Sequence, residues 1–133
     1  MNIGITGTKN YQNINKIKKF IFNELKQKLV NEKYQIVTTG RTVGADLIVK
    51  NICFDFNIPY KEVISYESRW NQFCLDENRW KFGKPHANKH FPIWMNSFLK
   101  ETDILFVFNE ENSNDKIVEY LLSHKNKYNV VTI

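Results

Sequence analysis

Short apolar runs that end in glycine alternate here with stretches whose apolar residues recur every three or four positions. That alternation restricts the chain to an α/β sheet. Asn2-Ile3-Gly4-Ile5-Thr6 reads as a strand ended by Gly7, and Ile14, Ile17, Ile21, Leu25 and Leu29 then mark an amphipathic helix with Asn13 as its N-cap. Gln35-Ile36-Val37-Thr38-Thr39 is a second strand ended by Gly40, and Ala45, Ile48, Val49, Ile52 and Phe56 mark a second helix. Asn57-Ile58-Pro59 breaks the pattern before a third strand, Tyr60 to Ile64. Residues 65–90 carry no period and read as a long loop, a feature that is usually functional in a compact domain. Ile93, Trp94, Phe98 and Leu99 suggest a short third helix. Asp103 to Phe108 is almost wholly apolar, as a central strand buried on both faces should be. Ile117, Val118, Leu121 and Leu122 give a fourth helix, and Asn129 to Ile133 a fifth strand.

The expectation is one domain over residues 1–133, a Rossmann-like doubly wound sheet of about five mainly parallel strands in the order 3-2-1-4-5. In such sheets a ligand binds beyond the carboxyl ends of the strands, beside the point where the winding reverses. Here that point falls between the first and fourth strands.

Two glycine turns lie on that edge. Thr6-Gly7-Thr8-Lys9 follows the first strand; Gly7 permits close backbone approach, Thr8 offers a hydroxyl and Lys9 a point charge for a phosphate. Thr39-Gly40-Arg41-Thr42-Val43-Gly44-Ala45-Asp46 follows the second strand and opens the second helix. Glycines four apart free backbone N–H groups to face an anion, and the helix N-terminus adds partial positive charge. Asp46 has two readings: an acid favoured in a first helical turn, or a carboxylate that holds a ribose hydroxyl or acts on a sugar carbon. No Walker A or GxGxxG sequence occurs, which counts against ATPase and dinucleotide-dehydrogenase chemistry.

Together, Gly7-Thr8-Lys9-Asn10-Tyr11 and Thr39-Gly40-Arg41-Thr42-Val43-Gly44-Ala45-Asp46 resemble the SLOG superfamily. The likeness is to its YspA/YpsA-related branch, whose members pair a Gly-(Ser/Thr)-Arg-x-(Phe/Tyr) turn with a Gly-Gly-x-x-Gly-Ala-Asp turn. Leu47, Asn57-Ile58-Pro59 and Trp80-Lys81-Phe82-Gly83-Lys84 fit as well. The resemblance implies a fold that binds nucleotides or nucleotide-derived ligands such as ADP-ribose or cyclic nucleotides. Related branches include phosphoribohydrolases, sensors of nucleotide signals in phage defence, and a protein that loads recombinase onto single-stranded DNA.

This chain departs from the pattern in several places. Lys9 replaces the first arginine and Thr39 the first glycine of the second turn, which reduces backbone freedom there. Trp94-Met95 stands where the family has Arg-Asn, and Asn112-Ser113-Asn114-Asp115 where it has a Gly-Thr turn. The PGGxGTxxE signature of the phosphoribohydrolases is absent. An anion cradle tolerates such changes better than a catalytic geometry does.

Net charge is +5, with only three arginines among nineteen basic residues. The surplus sits in two blocks, residues 9–33 and 79–100, each with a surplus of five positive charges. In the first block Lys16, Lys19 and Lys26 fall opposite the apolar stripe, where solvation explains them; a nucleic-acid surface is the competing account. The second runs Arg79-Trp80-Lys81-Phe82-Gly83-Lys84-Pro85-His86-Ala87-Asn88-Lys89-His90, where Trp80 or Phe82 can stack on a base and Lys84, His86 or Lys89 meet phosphates.

Trp70, Phe73 and Cys74 read as a core-packing turn, Cys53 as a buried thiol and His124 as a surface residue. His86 and His90 are four apart, but Pro85 and the missing third ligand argue against a metal. Two cysteines without CxxC spacing fit reduced thiols, and no apolar run is long enough for a membrane span. The segment Met1-Asn2-Ile3-Gly4-Ile5 lacks a basic n-region, so a cytoplasmic protein without a leader is expected.

Acid–base candidates are Asp46, Glu67, Asp103, Glu110, Glu111 and Asp115. The leading expectation is a protein that binds a phosphorylated, nucleotide-like small molecule as a sensor or sequestering protein, without a further cofactor. Gly7, Thr8, Lys9, Thr39, Gly40, Arg41, Thr42, Gly44, Asp46, Trp80 and Lys84 would hold the ligand. The enzymatic alternative is an N-glycosidic hydrolase using Asp46 with Glu110 or Asp115. Single-stranded nucleic-acid binding is the second alternative. Related folds pair through helix faces, so a homo-oligomer is plausible.

Overall fold

A computed structural model gives the fold, with residues 1–63, 90–110 and 114–133 described. Five strands, β1 (Asn2–Gly7), β2 (Gln35–Thr38), β3 (Tyr60–Glu62), β4 (Ile104–Phe108) and β5 (Val130–Thr132), form one sheet in the order β3-β2-β1-β4-β5. Every neighbouring pair is parallel. The expected α/β architecture and strand order are therefore both present. The expected strand end at Ile64, residues 65–89 of the expected 65–90 loop, Glu67, Trp70, Phe73, Cys74, Trp80, Phe82, Lys84, His86, Lys89 and Glu111 lie outside the described residues, while His90 begins a helix. So do Asn112 and Ser113.

Strand side chains alternate between two faces, and each face has its own helices. Ile3, Ile5, Ile36, Phe106 and Phe108 pack with Ile17, Phe20, Ile21, Leu25, Ala45, Val49, Ile52 and Cys53. Their alternates Val37, Leu105 and Val107 pack with Trp94, Met95, Phe98, Leu99, Ile117, Val118 and Leu121. One face thus carries the helical segment after β1 and helix α3 (Gly44–Asp55). The other carries α4 (His90–Glu101) and α5 (Lys116–Ser123).

The first helical segment differs from the expected regular helix. It runs as α1 (Ile14–Lys19), a π-helical stretch Phe20–Leu25 and a last turn α2 (Lys26–Lys28). The Lys26 N–H reaches back five residues to the Ile21 carbonyl, so one turn holds an extra residue. That wider turn lets the adjacent Phe20 and Ile21 both face the sheet, and Phe20 meets Phe106 edge-on at 4.7 Å. Ile14, assigned to the apolar stripe, is exposed instead. Asn13 caps α1 as expected, its side chain accepting from the Lys16 N–H.

α4 is longer than the short helix expected. Its buried residues are Trp94, Met95, Phe98 and Leu99, while Ile93 is exposed. Trp94 and Met95, at the positions of the resemblance's polar pair, belong to this core, and the Trp94 indole N–H donates to the Val63 carbonyl at 2.6 Å. The Asn57-Ile58-Pro59 break ends α3 by a left-handed Asn57 (φ 54°), with the Ile58 N–H on the Cys53 carbonyl at 2.9 Å. Among the described residues no helix is long and apolar enough to cross a membrane.

Candidate functional site

β1 connects onward to β2 on one side of the sheet and its other neighbour, β4, to β5 on the opposite side, so the crevice of a doubly wound fold opens beyond the ends of β1 and β4. Both sequence-flagged turns reach this edge, and they pack directly on each other. Gly44 has φ 66°, and a Cβ built on it would lie 2.3 Å from the Thr8 carbonyl oxygen and 2.7 Å from the Lys9 Cα. Only a glycine allows both that backbone conformation and that approach. Gly7 lies equally close to β4: a Cβ there would stand 2.3 Å from the Phe108 carbonyl oxygen.

The contact fixes where backbone donors go. Thr8 donates its N–H to the Phe108 carbonyl at 3.1 Å, and its own carbonyl accepts from Tyr11 at 3.1 Å and from Ala45 at 3.3 Å. The Ala45 N–H opens α3 and would otherwise be one of the helix's unfilled donors. The Gly40 N–H, at φ 77°, donates to the Thr38 hydroxyl at 3.2 Å. Thr38 in turn meets the Tyr60 hydroxyl at 2.8 Å, and Tyr60 donates to Glu62 at 3.0 Å. Several N–H groups expected to face an anion are therefore spent inside the fold.

Asp46 points inward from the first turn of α3 and is 1% exposed. It accepts from the Thr6 hydroxyl at 2.5 Å, the Thr39 N–H at 2.9 Å and the Thr39 hydroxyl at 2.5 Å. These bonds tie the ends of β1 and β2 to α3, and the N–H of Thr39 turns to Asp46 where β2 stops at Thr38. Burial pushes the Asp46 carboxyl up to about 6, and the Arg41 charge and the threonine bonds oppose that rise without cancelling it.

Arg41 is likewise buried. Its guanidinium donates to the Gly7 carbonyl at 3.2 Å and pairs with Asp115 at 3.0 Å. Asp115 is the N-cap of α5, accepting from Ile117 at 3.1 Å and Val118 at 3.2 Å, and it also accepts from the Lys9 N–H at 2.8 Å. One buried ion pair thus joins the β2 turn to the β4–α5 connection across the end of β1. Thr42 is exposed, and Lys9 is half-buried. Asp103 lies at the opposite edge of the sheet, its carboxylate accepting from the Asn2 N–H at 2.7 Å.

Two hydroxyls at the carboxyl edge of the sheet stand apart from this satisfied network. The Thr8 Oγ1 and the Tyr11 OH are buried and have no hydrogen-bond partner among the described residues. Leaving such a group unpaired costs about 1–3 kcal/mol. Tyr11 also lines a cleft of about 460 Å³, together with Gln12, Asn13 and Lys16 after β1 and Glu110 after β4. Burial first, and then the negative charge of Glu110, raise the Tyr11 phenol above its ordinary range.

The structure therefore brings Gly7, Thr8, Lys9, Arg41, Gly44, Asp46 and Asp115 together and sets Glu110 on the neighbouring cleft. Trp80 and Lys84 lie outside the described residues. Gln12 and Lys16 were missed as cleft residues, Lys16 because its place opposite an apolar stripe explained it. The signal for Gln12 was position: it stands between β1 and α1, at the reversal point. Cys53 is buried as expected, and burial pushes its thiol up to about 12. His124, expected at the surface, is half-buried against Tyr120, with ring centroids 4.4 Å apart. No group of three or more His, Cys, Asp or Glu is placed to hold a metal ion among the described residues. No protein-family model, no curated protein and no solved structure matches this chain.

Proposed function

We propose that this protein binds a nucleotide or nucleotide-derived signal molecule at the carboxyl edge of its sheet, and acts as a cytoplasmic sensor or sequestering protein. The observation that carries the reading is the buried Thr8 hydroxyl, without a partner among the described residues, set where the two glycine turns meet and three residues before Tyr11, which lines an open cleft. A phosphate oxygen is a suitable acceptor for that hydroxyl, and Lys9 adjoins it in sequence as a cation. The position agrees with where doubly wound sheets hold ligands. The SLOG resemblance of the same two turns supports the choice of a nucleotide, and places a role in phage defence or counter-defence within reach.

Binding is favoured over cleavage. A glycosidic hydrolase needs a carboxylate free to act at the sugar. Asp46 is buried and accepts three hydrogen bonds, and Asp115 is committed to Arg41, Lys9 and the cap of α5. Of the three proposed catalytic carboxylates only Glu110 is exposed.

Calorimetry with AMP, other nucleoside monophosphates, ADP-ribose, cyclic ADP-ribose isomers and cyclic dinucleotides tests the proposal. Saturable binding of at least one, with no base released on long incubation, is the expected result. A folded protein that binds none of them refutes it.

A further inference from the structure

The cleft beside the turn junction carries mixed charge, with Lys16 from the first helix and Glu110 from the β4–α5 connection on its wall. A phosphate there would meet the Glu110 carboxylate as a like charge. A carboxylate can only accept hydrogen bonds, so Glu110 calls for a donor on the ligand. Tyr11 is more than nine-tenths buried, lines the same cleft and has a hydroxyl with no partner among the described residues. Burial and Glu110 both keep that phenol protonated, so it is a donor in want of an acceptor. The Asn13 side-chain oxygen is taken by the Lys16 N–H, which leaves its amide N–H groups to face a ligand oxygen.

The required group therefore donates and accepts within a few ångströms and carries no negative charge. A sugar cis-diol meets each condition, because every hydroxyl both donates and accepts. We propose that the cleft lined by Tyr11, Lys16 and Glu110 holds the ribose of a ribonucleotide, its 2′- and 3′-hydroxyls donating to Glu110 and accepting from Tyr11 and Lys16. This assignment rests on the nucleotide reading above. It adds a selectivity: ribonucleotides are taken over deoxyribonucleotides, and a 2′- or 3′-phosphate is rejected by Glu110.

The test is calorimetry of AMP, dAMP, ADP-ribose and adenosine 3′-monophosphate against the wild-type protein, Glu110→Gln, Tyr11→Phe and Thr8→Val. A charge-assisted bond lost from the ligand predicts AMP at least about 10-fold tighter than dAMP on the wild type. Glu110→Gln should close most of that gap, and Tyr11→Phe should weaken AMP by about 3- to 10-fold. Tyr11→Phe should not lower the melting temperature, because it removes a hydroxyl that no group satisfies. That outcome separates a ligand contact from a structural one. Equal affinity for AMP and dAMP on the wild type, or a gap that survives in Glu110→Gln, overturns the ribose assignment. If ligands bind and Thr8→Val abolishes binding while no ribose preference exists, the ribose assignment alone falls. Failure of all four ligands on the wild type overturns the ribose site, and the nucleotide reading falls with it when the wider panel above also fails to bind.

Discussion

Gly44 sits directly over Thr8, so close that a single added carbon would stand 2.3 Å from the Thr8 carbonyl oxygen. The two loops that carry the resemblance are thus one structural unit. Replacing Gly44 by alanine forces a left-handed residue with a side chain into backbone that has no room to yield. Strain and displacement together should lower stability by about 2–4 kcal/mol. Thr42→Ala, on the exposed part of the same turn, should change it by less than about 0.5 kcal/mol. Urea unfolding of both variants checks the contrast, and a Gly44→Ala protein as stable as Thr42→Ala would contradict the packing.

The strand order and the placement of both turns at the carboxyl ends of the strands were legible because they follow from periodicity and glycine position. What those turns do with their polar groups was not. Asp46 looked like a first-turn acid or a ribose ligand. In the structure it is a first-turn acid of α3 that also serves as the acceptor joining β1 to β2, because Thr6 and Thr39, one on each strand end, both aim hydroxyls at it. Arg41 looked like a phosphate ligand, and its observed partners are Asp115 and the Gly7 carbonyl. Both contacts span distant parts of the chain, and a one-dimensional pattern carries no signal for which charges meet. The π-helical stretch was hidden for a related reason. A five-residue reach leaves no mark on a stripe drawn at steps of three and four, although Phe20 beside Ile21 was its trace.

Asp46 sets a pH dependence. Its folded value of about 6 lies above the ordinary 3.8, so the folded state holds the proton more tightly than the unfolded chain. The stabilisation from that proton is complete below about 4 and is lost as pH rises to about 6. Asp46→Asn cannot titrate, and its amide can still serve the Thr39 N–H. The stability of the wild type relative to Asp46→Asn should therefore fall between pH 4 and 6 and level off above. Urea unfolding at four pH values across that range measures the difference, in which the other titrating groups cancel. Parallel profiles would show that Asp46 does not titrate in this window.

Asp115 pairs with Arg41, accepts from the Lys9 N–H and caps α5, and two substitutions separate the cap from the other two roles. Asparagine is a good N-cap and keeps the bonds to Ile117 and Val118, but it gives up the ion pair with buried Arg41. Asp115→Asn should lower stability by about 3 kcal/mol, the usual result of removing one partner of a buried pair. Asp115→Ala also loses the cap and should cost about 1 kcal/mol more. Equal values for the two variants would mean that the cap contributes nothing here.

Thr8→Val should move stability and binding in opposite directions. Valine keeps the shape of threonine and replaces a buried hydroxyl that has no partner among the described residues with a methyl group. Without ligand, the folded state then no longer bears the penalty of an unpaired polar atom, so stability should rise by about 1 kcal/mol. With ligand, the hydroxyl proposed to meet a phosphate is gone, so affinity for any nucleotide the wild type binds should fall at least about 10-fold. Thermal unfolding of both proteins, alone and with saturating ligand, reads the two effects together: the variant melts higher when empty and gains less when ligand is added. A hydroxyl kept only for folding would give the reverse, a variant that melts lower and binds unchanged.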